Sequence, residues 1–275
     1  YTGAPGSALM NTENQNSLNL VIMPANYDIG HVFGVGTGGL AAVGGVCAGD
    51  RGSASTGRPT PSGDPFDVDF VAHEMGHQWG SPHTFNALSG GCSGNRSAAS
   101  AYEPGSGITI MGYSGLCAPQ NLGNFSIDTF HVKTLELIVA YSQTGGGNCG
   151  VITASGNTPP TVTGPGNFNI PKQTPFSLAA SATDPNGDTI TYDWEEYDLG
   201  PAASGAPNSD ADGNARPIFT VFSPVPTGTR IFPALTHILN SDNIPPTNTG
   251  GFMTGELLPA ITRAMTFQVV ARDNR

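Results

Sequence analysis

The chain of 275 residues is long enough for one large domain or two ordinary ones. Its 38 glycines, 23 prolines and 11% charged residues predict many loops and little helix. A net charge of −11 leaves no basic face to neutralise phosphates, which argues against a nucleic-acid partner. No stretch reaches the roughly 18 apolar residues of a membrane span, and the first residues lack the pattern of a signal peptide.

Two helices are expected in the first 150 residues, where apolar side chains recur at helical spacing. The first covers residues 68–79, and Gly80 supplies its C-terminal stop. The second covers residues 127–141, with Ser126 or Asp128 as its N-cap. Strand candidates complete this part of the chain, which therefore mixes helix and sheet; they are residues 19–23, 39–46 and 108–111.

All four cysteines precede residue 150, and no two of them form a C-x-x-C pair. This distribution suits two disulfides better than a cysteine metal site. Disulfides persist in oxidising compartments, so the chain is expected to be secreted.

A stretch rich in threonine, glycine and proline, residues 151–166, has almost nothing to pack and is interpreted as a linker. Beyond it, apolar residues alternate with a period of two, which predicts an antiparallel β-sandwich over residues 167–275. Residues 199–263 are irregular, and their strands have no predicted order. The predicted domains are thus residues 1–150 and residues 167–275.

A metal-binding pattern lies in residues 73–83, which read HEMGHQWGSPH and fit H-E-x-x-H-x-x-G-x-x-H. His73 and His77 are four residues apart on a helix, so they point the same way and can share one ion. Gly80 can end the helix in a left-handed conformation, which lets His83 approach from outside it. Three imidazoles leave a fourth position open, which is typical of a catalytic zinc site.

Glu74 follows the first of these histidines and is expected to lie close to the metal without binding it. At a zinc site that lowers the pKa of water to about 7, this carboxylate would take the proton of the attacking water and pass it to the leaving amine. The predicted reaction is hydrolysis of peptide bonds in a protein or peptide substrate.

These residues resemble the metzincin metallopeptidases, and within them the reprolysin-like (adamalysin) branch in its bacterial secreted form. The resemblance implies an α+β catalytic domain, in which Met111 of the Thr109–Tyr113 segment TIMGY forms the Met-turn beneath the metal. Tyr113 stands where related families carry a tyrosine that ligates zinc or steadies the oxyanion, although an ordinary packed tyrosine fits equally well.

The resemblance also implies an edge strand and two disulfides. Leu40, Ala41 and Ala42 lie where the family places the strand that binds substrate by strand addition, against the alternative of a plain strand. The implied disulfides pair Cys92 with Cys117, and Cys47 with Cys149.

Only 72 residues precede His73, fewer than metzincin catalytic domains usually carry. The early strands and a long backing helix are therefore expected to be missing from residues 1–150, and a missing N-terminal segment or a pro-segment is a candidate partner.

Residues 167–275 resemble the Ig-like module that follows the protease in this bacterial family. Within them Asp184, Asn186 and Asp188 suit a calcium ion, but a hairpin turn explains the same residues. Of the other histidines, His31 and His131 lack ligand spacing and are expected to be core or surface residues. His237 receives no role.

Two alternatives stay open at this stage. In the first alternative, residues 1–150 are an inactive relic of a peptidase, and the β-sandwich makes the chain a binding or adhesive protein. The other is a pappalysin-type metzincin, since His83, Thr84 and Phe85 also follow the zinc motif there, and a Cys92–Cys117 disulfide would help to separate the two families. A gluzincin is disfavoured because its third ligand would be a distant glutamate.

Overall fold

The computed structural model describes residues 1–203, 208–241 and 245–275. These residues form two compact units. The first unit contains residues 1–82 and 133–152, and the second contains residues 83–132 and 153–275. These limits differ from the division predicted at residues 150 and 166, because residues 83–132 group with the downstream part of the chain.

The first unit begins with helix α1, Ala8–Val21. Ser7 caps it by accepting a hydrogen bond from the Met10 amide at 3.2 Å. The predicted strand at residues 19–23 is wrong, since residues 19–21 are the last turn of α1. The apolar run of residues 20–23 does not distinguish a strand from a helix end, whereas the cap lies thirteen residues before the run.

A three-stranded sheet follows in the first unit, with strands β1 (Val32–Gly34), β2 (Gly38–Ala41) and β3 (Ala54–Gly57). The strand order is β1-β3-β2, with β1 parallel and β2 antiparallel to β3. Strand β2 is therefore an edge strand. It is shorter than the predicted residues 39–46 because the chain turns at Gly44, which has φ of 73°.

The predicted helix at residues 68–79 is confirmed in its position. It starts with a short helix α2 (Asp64–Phe66), continues as a π-helix (Asp67–Ala72) and ends as α3 (His73–Gln78). The helix that closes this unit, α4 (Val132–Ala140), runs on into a π-helical turn at Tyr141–Gly145.

The second helix was predicted to begin at residue 127, but α4 begins at Val132. The Ile127 amide donates instead to the carbonyl of Ile108 at 2.8 Å, and residues 127–130 form no helix. The Val132 amide at the start of α4 donates to the carboxylate of Glu195 at 2.6 Å, and neither Ser126 nor Asp128 is the cap. A cap supplied from 63 residues downstream leaves no local signal.

The predicted strand at residues 108–111 is also wrong. In the second unit these residues form a tight turn, which is closed by a hydrogen bond from the Gly112 amide to the Thr109 carbonyl at 2.8 Å. Glycines at positions 105, 107 and 112 make such turns accessible, whereas the apolar run alone resembles a strand.

Downstream of residue 153 the described residues of the second unit form eight short strands and the helix α5 (Leu235–Leu239). The strands are β4 (Thr161–Thr163), β5 (Phe176–Ala179), β6 (Ser181–Thr183), β7 (Thr191–Glu196), β8 (Thr229–Phe232), β9 (Asn248–Thr249), β10 (Phe252–Met253) and β11 (Phe267–Arg272). They pair antiparallel as β4–β6, β5–β8, β7–β11 and β9–β10.

The period-two alternation thus predicted β5, β6, β7 and β11 correctly. The apolar faces of β5, β7 and β11 contribute to a buried cluster that contains Leu178, Trp194, Phe219 and Phe232. Within the described ranges the strands form separate two-stranded sheets, so the Ig-like sandwich stays a prediction. No helix in the described part of the chain is both long and apolar enough to cross a bilayer.

Candidate metal centre

Three histidines converge as the motif predicts. Their ligand atoms all lie within 4.8 Å of one another, a grouping that can hold a metal ion. Helix α3 orients His73 and His77, whose ring centroids are 4.8 Å apart and whose planes are nearly perpendicular. Both side chains are buried, and His83 is half-buried.

The turn after α3 fixes the ring of the second histidine. Gly80 has φ of 89° and its amide donates to the His77 carbonyl at 2.8 Å, which ends the helix as predicted. The chain then brings the Ser81 carbonyl to 2.7 Å from Nδ1 of His77. A carbonyl oxygen only accepts, so Nδ1 carries the proton and Nε2 keeps its lone pair for a ligand role.

The third histidine shows the same arrangement. Nδ1 of His83 donates to the Asn95 carbonyl at 2.7 Å, which again leaves Nε2 for a metal. The ring packs against Phe85 and Tyr113, with centroid distances of 5.1 and 4.5 Å. Burial lowers the pKa of His77, which favours the neutral imidazole that metal binding requires. The donor set therefore fits a zinc ion.

Glu74 is buried beside the histidines. Burial raises the pKa of its carboxyl group to about 8. Among the described residues, its Oε2 atom has no hydrogen-bond partner. Strand β2 passes so close that a Cβ atom at Gly39 would lie 2.2 Å from Oε1 of Glu74. A buried carboxylate oxygen without a partner is costly, and a cation or a substrate proton would offset that cost.

Met111 is fully buried in the second unit, and its carbonyl accepts a hydrogen bond from the Thr84 amide at 3.2 Å. Thr84 directly follows the third histidine, so this bond ties the predicted Met-turn to the histidine segment. Whether Met111 lies beneath a bound metal stays a prediction.

Sequence reasoning missed Glu103, a fully buried carboxylate that organises the same turn. It accepts hydrogen bonds from the amides of Ile108 and Thr109 at 2.8 and 3.0 Å, and from the hydroxyls of Thr84 and Thr109. The sequence signal for Glu103 was a single glutamate in a segment with almost no other charged residues.

Tyr113 packs against His83 and Phe85, next to the Cys92–Cys117 disulfide. Its amide donates to the Ser106 carbonyl at 2.7 Å, which fixes the backbone of the turn. This position agrees both with an ordinary packed ring and with a ring that ligates zinc or steadies the oxyanion, so its catalytic role stays a prediction.

The structure contains the two disulfides that the resemblance implies. Cys47 is bonded to Cys149 in the first unit, and Cys92 to Cys117 in the second. The second disulfide agrees with the reprolysin-like interpretation over the pappalysin-like one.

The predicted substrate strand lies at the edge of its sheet, where Leu40 is 40% exposed. Leu40 and Ala41 belong to β2, and Ala42 directly follows it, with its amide donating to the Ser53 carbonyl at 3.0 Å.

The proposed calcium ligands form a turn. Oδ1 of Asp184 accepts from the amides of Asn186 and Asp188 at 2.8 and 3.0 Å, and Asp188 accepts from Arg275 at 2.6 Å. These contacts favour the hairpin turn, and a calcium site is not supported.

The remaining histidines lie outside the metal group. His31 bonds Gln78 and Thr56 at 3.0 and 2.6 Å, which agrees with a structural role. His131 is buried 3.2 Å from Glu195, and His237 lies in α5.

Residues 4–135, just under half of the chain, match the family described as metallopeptidase family M12B, reprolysin-like. Searches of curated proteins and of solved structures found no match. Taken with the histidine geometry, the match supports a reprolysin-like metallopeptidase in this part of the chain.

Proposed function

We propose that this chain is a secreted zinc-dependent endopeptidase that hydrolyses internal peptide bonds of proteins. One observation carries the proposal: ligand atoms of His73, His77 and His83 lie within 4.8 Å of one another, and the next residue after the first of them is a buried carboxylate. The family match over residues 4–135 supports the same chemistry.

The three histidines would hold the ion through their ring nitrogens and leave one position open. A zinc ion bound there supplies a Lewis acid, which polarises a carbonyl group and lowers the pKa of water. Because backbone carbonyls fix Nδ1 of His77 and His83, the two rings need no reorientation on binding.

Glu74 is the proposed general base. Its Oε2 atom would accept a proton from the attacking water and return that proton to the leaving amine. The Oε2 atom is buried and makes no hydrogen bond to a described residue, so no bond must break before it accepts the proton. Strand β2 passes close to the other oxygen, Oε1.

Strand β2 is the proposed substrate-binding edge. An extended peptide would pair with the outer edge of the segment that contains Leu40, Ala41 and Ala42. Because backbone pairing depends little on side chains, it positions many different protein segments for cleavage.

Secretion is supported by the two disulfides, which persist in oxidising compartments. The alternative, a relic that acts as a binding or adhesive protein, is not favoured, because no described feature of residues 153–275 assigns them a ligand, whereas the family match falls on the proposed catalytic residues.

The test is a Glu74→Gln variant, which keeps the shape of the side chain and removes the base. We expect it to retain zinc at the stoichiometry of the wild type, measured by metal analysis, while kcat on a generic protein substrate falls by roughly 10²–10⁴-fold. Glu136→Gln, a change of the same chemistry on helix α4, is the matched control and should leave kcat unchanged.

Activity in Glu74→Gln close to that of the wild type would rule out this residue as the base. A wild-type protein that binds zinc but cleaves no peptide in a broad library would instead point to the relic. A protein that binds no zinc would refute the proposal as a whole.

A further inference from the structure

We infer that Arg96 is a positioning residue that ties His83 to the downstream part of the chain, so that residues around Gly200 help to build the metal centre. This inference rests on the proposed function, and every contact that carries it lies within the second unit.

The first contact joins the candidate metal ligand His83 to the backbone beside Arg96. The imidazole of His83 donates through Nδ1 to the Asn95 carbonyl at 2.7 Å, and that carbonyl belongs to the peptide bond between Asn95 and Arg96. The position of this one peptide group therefore sets the direction of the Nε2 lone pair.

The second step is the double contact of the guanidinium. Nε of Arg96 donates to Oδ1 of Asn86 at 2.9 Å, and Nη2 donates to the Gly200 carbonyl at 2.8 Å. Asn86 lies three residues after His83 and is fully buried. Arg96 thus connects both ends of the loop from residue 86 to residue 96 and joins this loop to a segment more than 100 residues downstream.

The downstream contact point is itself tightly held. A Cβ atom at Gly200 would lie 2.0 Å from the Ala215 carbonyl, so only glycine allows this close approach. Pro201, the next residue, accepts a hydrogen bond from Nε of Arg216 at 3.0 Å. The Gly200 carbonyl is therefore a fixed acceptor and not a flexible loop atom.

A lysine could not replace this arginine fully. The guanidinium supplies donors from two different nitrogens in one rigid plane, whereas an ammonium group is a single point. The geometry of the guanidinium thus explains why position 96 holds an arginine, although the chain has only 10 lysines and arginines in all.

The test measures zinc affinity of the full chain by competition with a chromophoric chelator. In Arg96→Ala we expect the affinity to fall by about tenfold or more, the range typical of a lost partner that orients a ligand. Gly200→Ala, which displaces the acceptor and keeps the arginine, should give a similar loss. Cleavage lost in both variants should return when zinc is added in excess.

Two controls match these changes. Arg275→Ala removes an arginine that pairs with Asp188 at 2.6 Å in the same unit, and Gly166→Ala adds a methyl group where nothing lies within 4 Å. Both should bind zinc like the wild type. Circular dichroism and the disulfide count report whether each variant folds.

Wild-type zinc affinity in folded Arg96→Ala and Gly200→Ala would overturn the inference, while leaving the proposed function in place. If Arg96→Ala does not fold, the zinc affinities of Arg96→Lys and Gly200→Ala provide the test. Wild-type affinity in both of these variants overturns the inference. A wild type that binds zinc but does not cleave contradicts the proposed function, yet the affinity comparison still tests the role of Arg96.

Discussion

Gly39 of the edge strand lies against the carboxylate of Glu74, so closely that a methyl group there would fall 2.2 Å from Oε1 and 2.9 Å from Cδ. The strand proposed to bind substrate and the proposed base therefore share a contact that only a residue without a side chain permits.

Gly39→Ala tests this contact. The added methyl group should push the Glu74 carboxylate out of place and lower kcat by about 10- to 100-fold, since misplacing a catalytic group by about 1 Å has an effect of this size. Zinc content should stay unchanged. Gly49→Ala, where nothing lies within 4 Å of the added group, is the control.

A second change can distinguish displacement of the carboxylate from general damage to the strand. Adding Glu74→Asp to Gly39→Ala shortens the carboxylate side chain and should restore part of the lost kcat. No recovery in the double variant would indicate that the methyl group acts through the strand instead.

The two disulfides should differ in their sensitivity to reductant. Cys92 and Cys117 are fully buried, whereas Cys149 is exposed. A thiolate must reach the sulfur it attacks, so mild dithiothreitol should open Cys47–Cys149 first. Alkylation followed by mass spectrometry reads the order, and simultaneous opening of both disulfides would contradict it.

Stability should fall as the pH rises through neutrality. Burial raises the pKa of Glu196 to about 8 and that of Glu256 to about 7, although Arg263 and Arg230 lie 3.2 and 2.6 Å away and oppose the shift. A carboxyl group whose pKa is higher in the folded state binds its proton more tightly there. Its contribution is complete below pH about 4.5 and is lost between about pH 4.5 and 8.

Between pH 5 and 8 the free energy of unfolding should therefore decrease by at least about 2 kcal/mol. Urea titrations at a series of pH values measure it, with circular dichroism as the signal. Glu196→Gln should flatten the pH dependence, whereas the exposed Glu136→Gln should not. A free energy that rises over this interval would show that the ion pairs outweigh the burial.

The grouping of the three histidines was predictable because their spacing is local. His73 and His77 are one helical turn apart, and Gly80 permits the turn that brings His83 back. All of the needed information lies within eleven consecutive residues. The alternation that identified β7 and β11 is local in the same sense, since a strand with one buried face shows its period in its own residues.

The failures have the opposite character. Helix α4 begins at Val132 because Glu195 binds its first amide, and the turn at residues 108–111 is held by Glu103. In each case a buried carboxylate outside the segment itself, 63 residues away for α4 and five residues away for the turn, decides a backbone conformation that the apolar pattern leaves open. Buried partners of this kind have no periodicity and so give no pattern to read.

The grouping of residues 83–132 with residues 153–275 has a consequence for biosynthesis. On strand β11, Arg272 bonds Asp193 of β7 and donates to the Phe130 carbonyl at 3.4 Å. Because the chain is synthesised from its N-terminus, Phe130 is made before its partner on β11. Folding of the segment that carries His83 is therefore completed only after β11 has been synthesised.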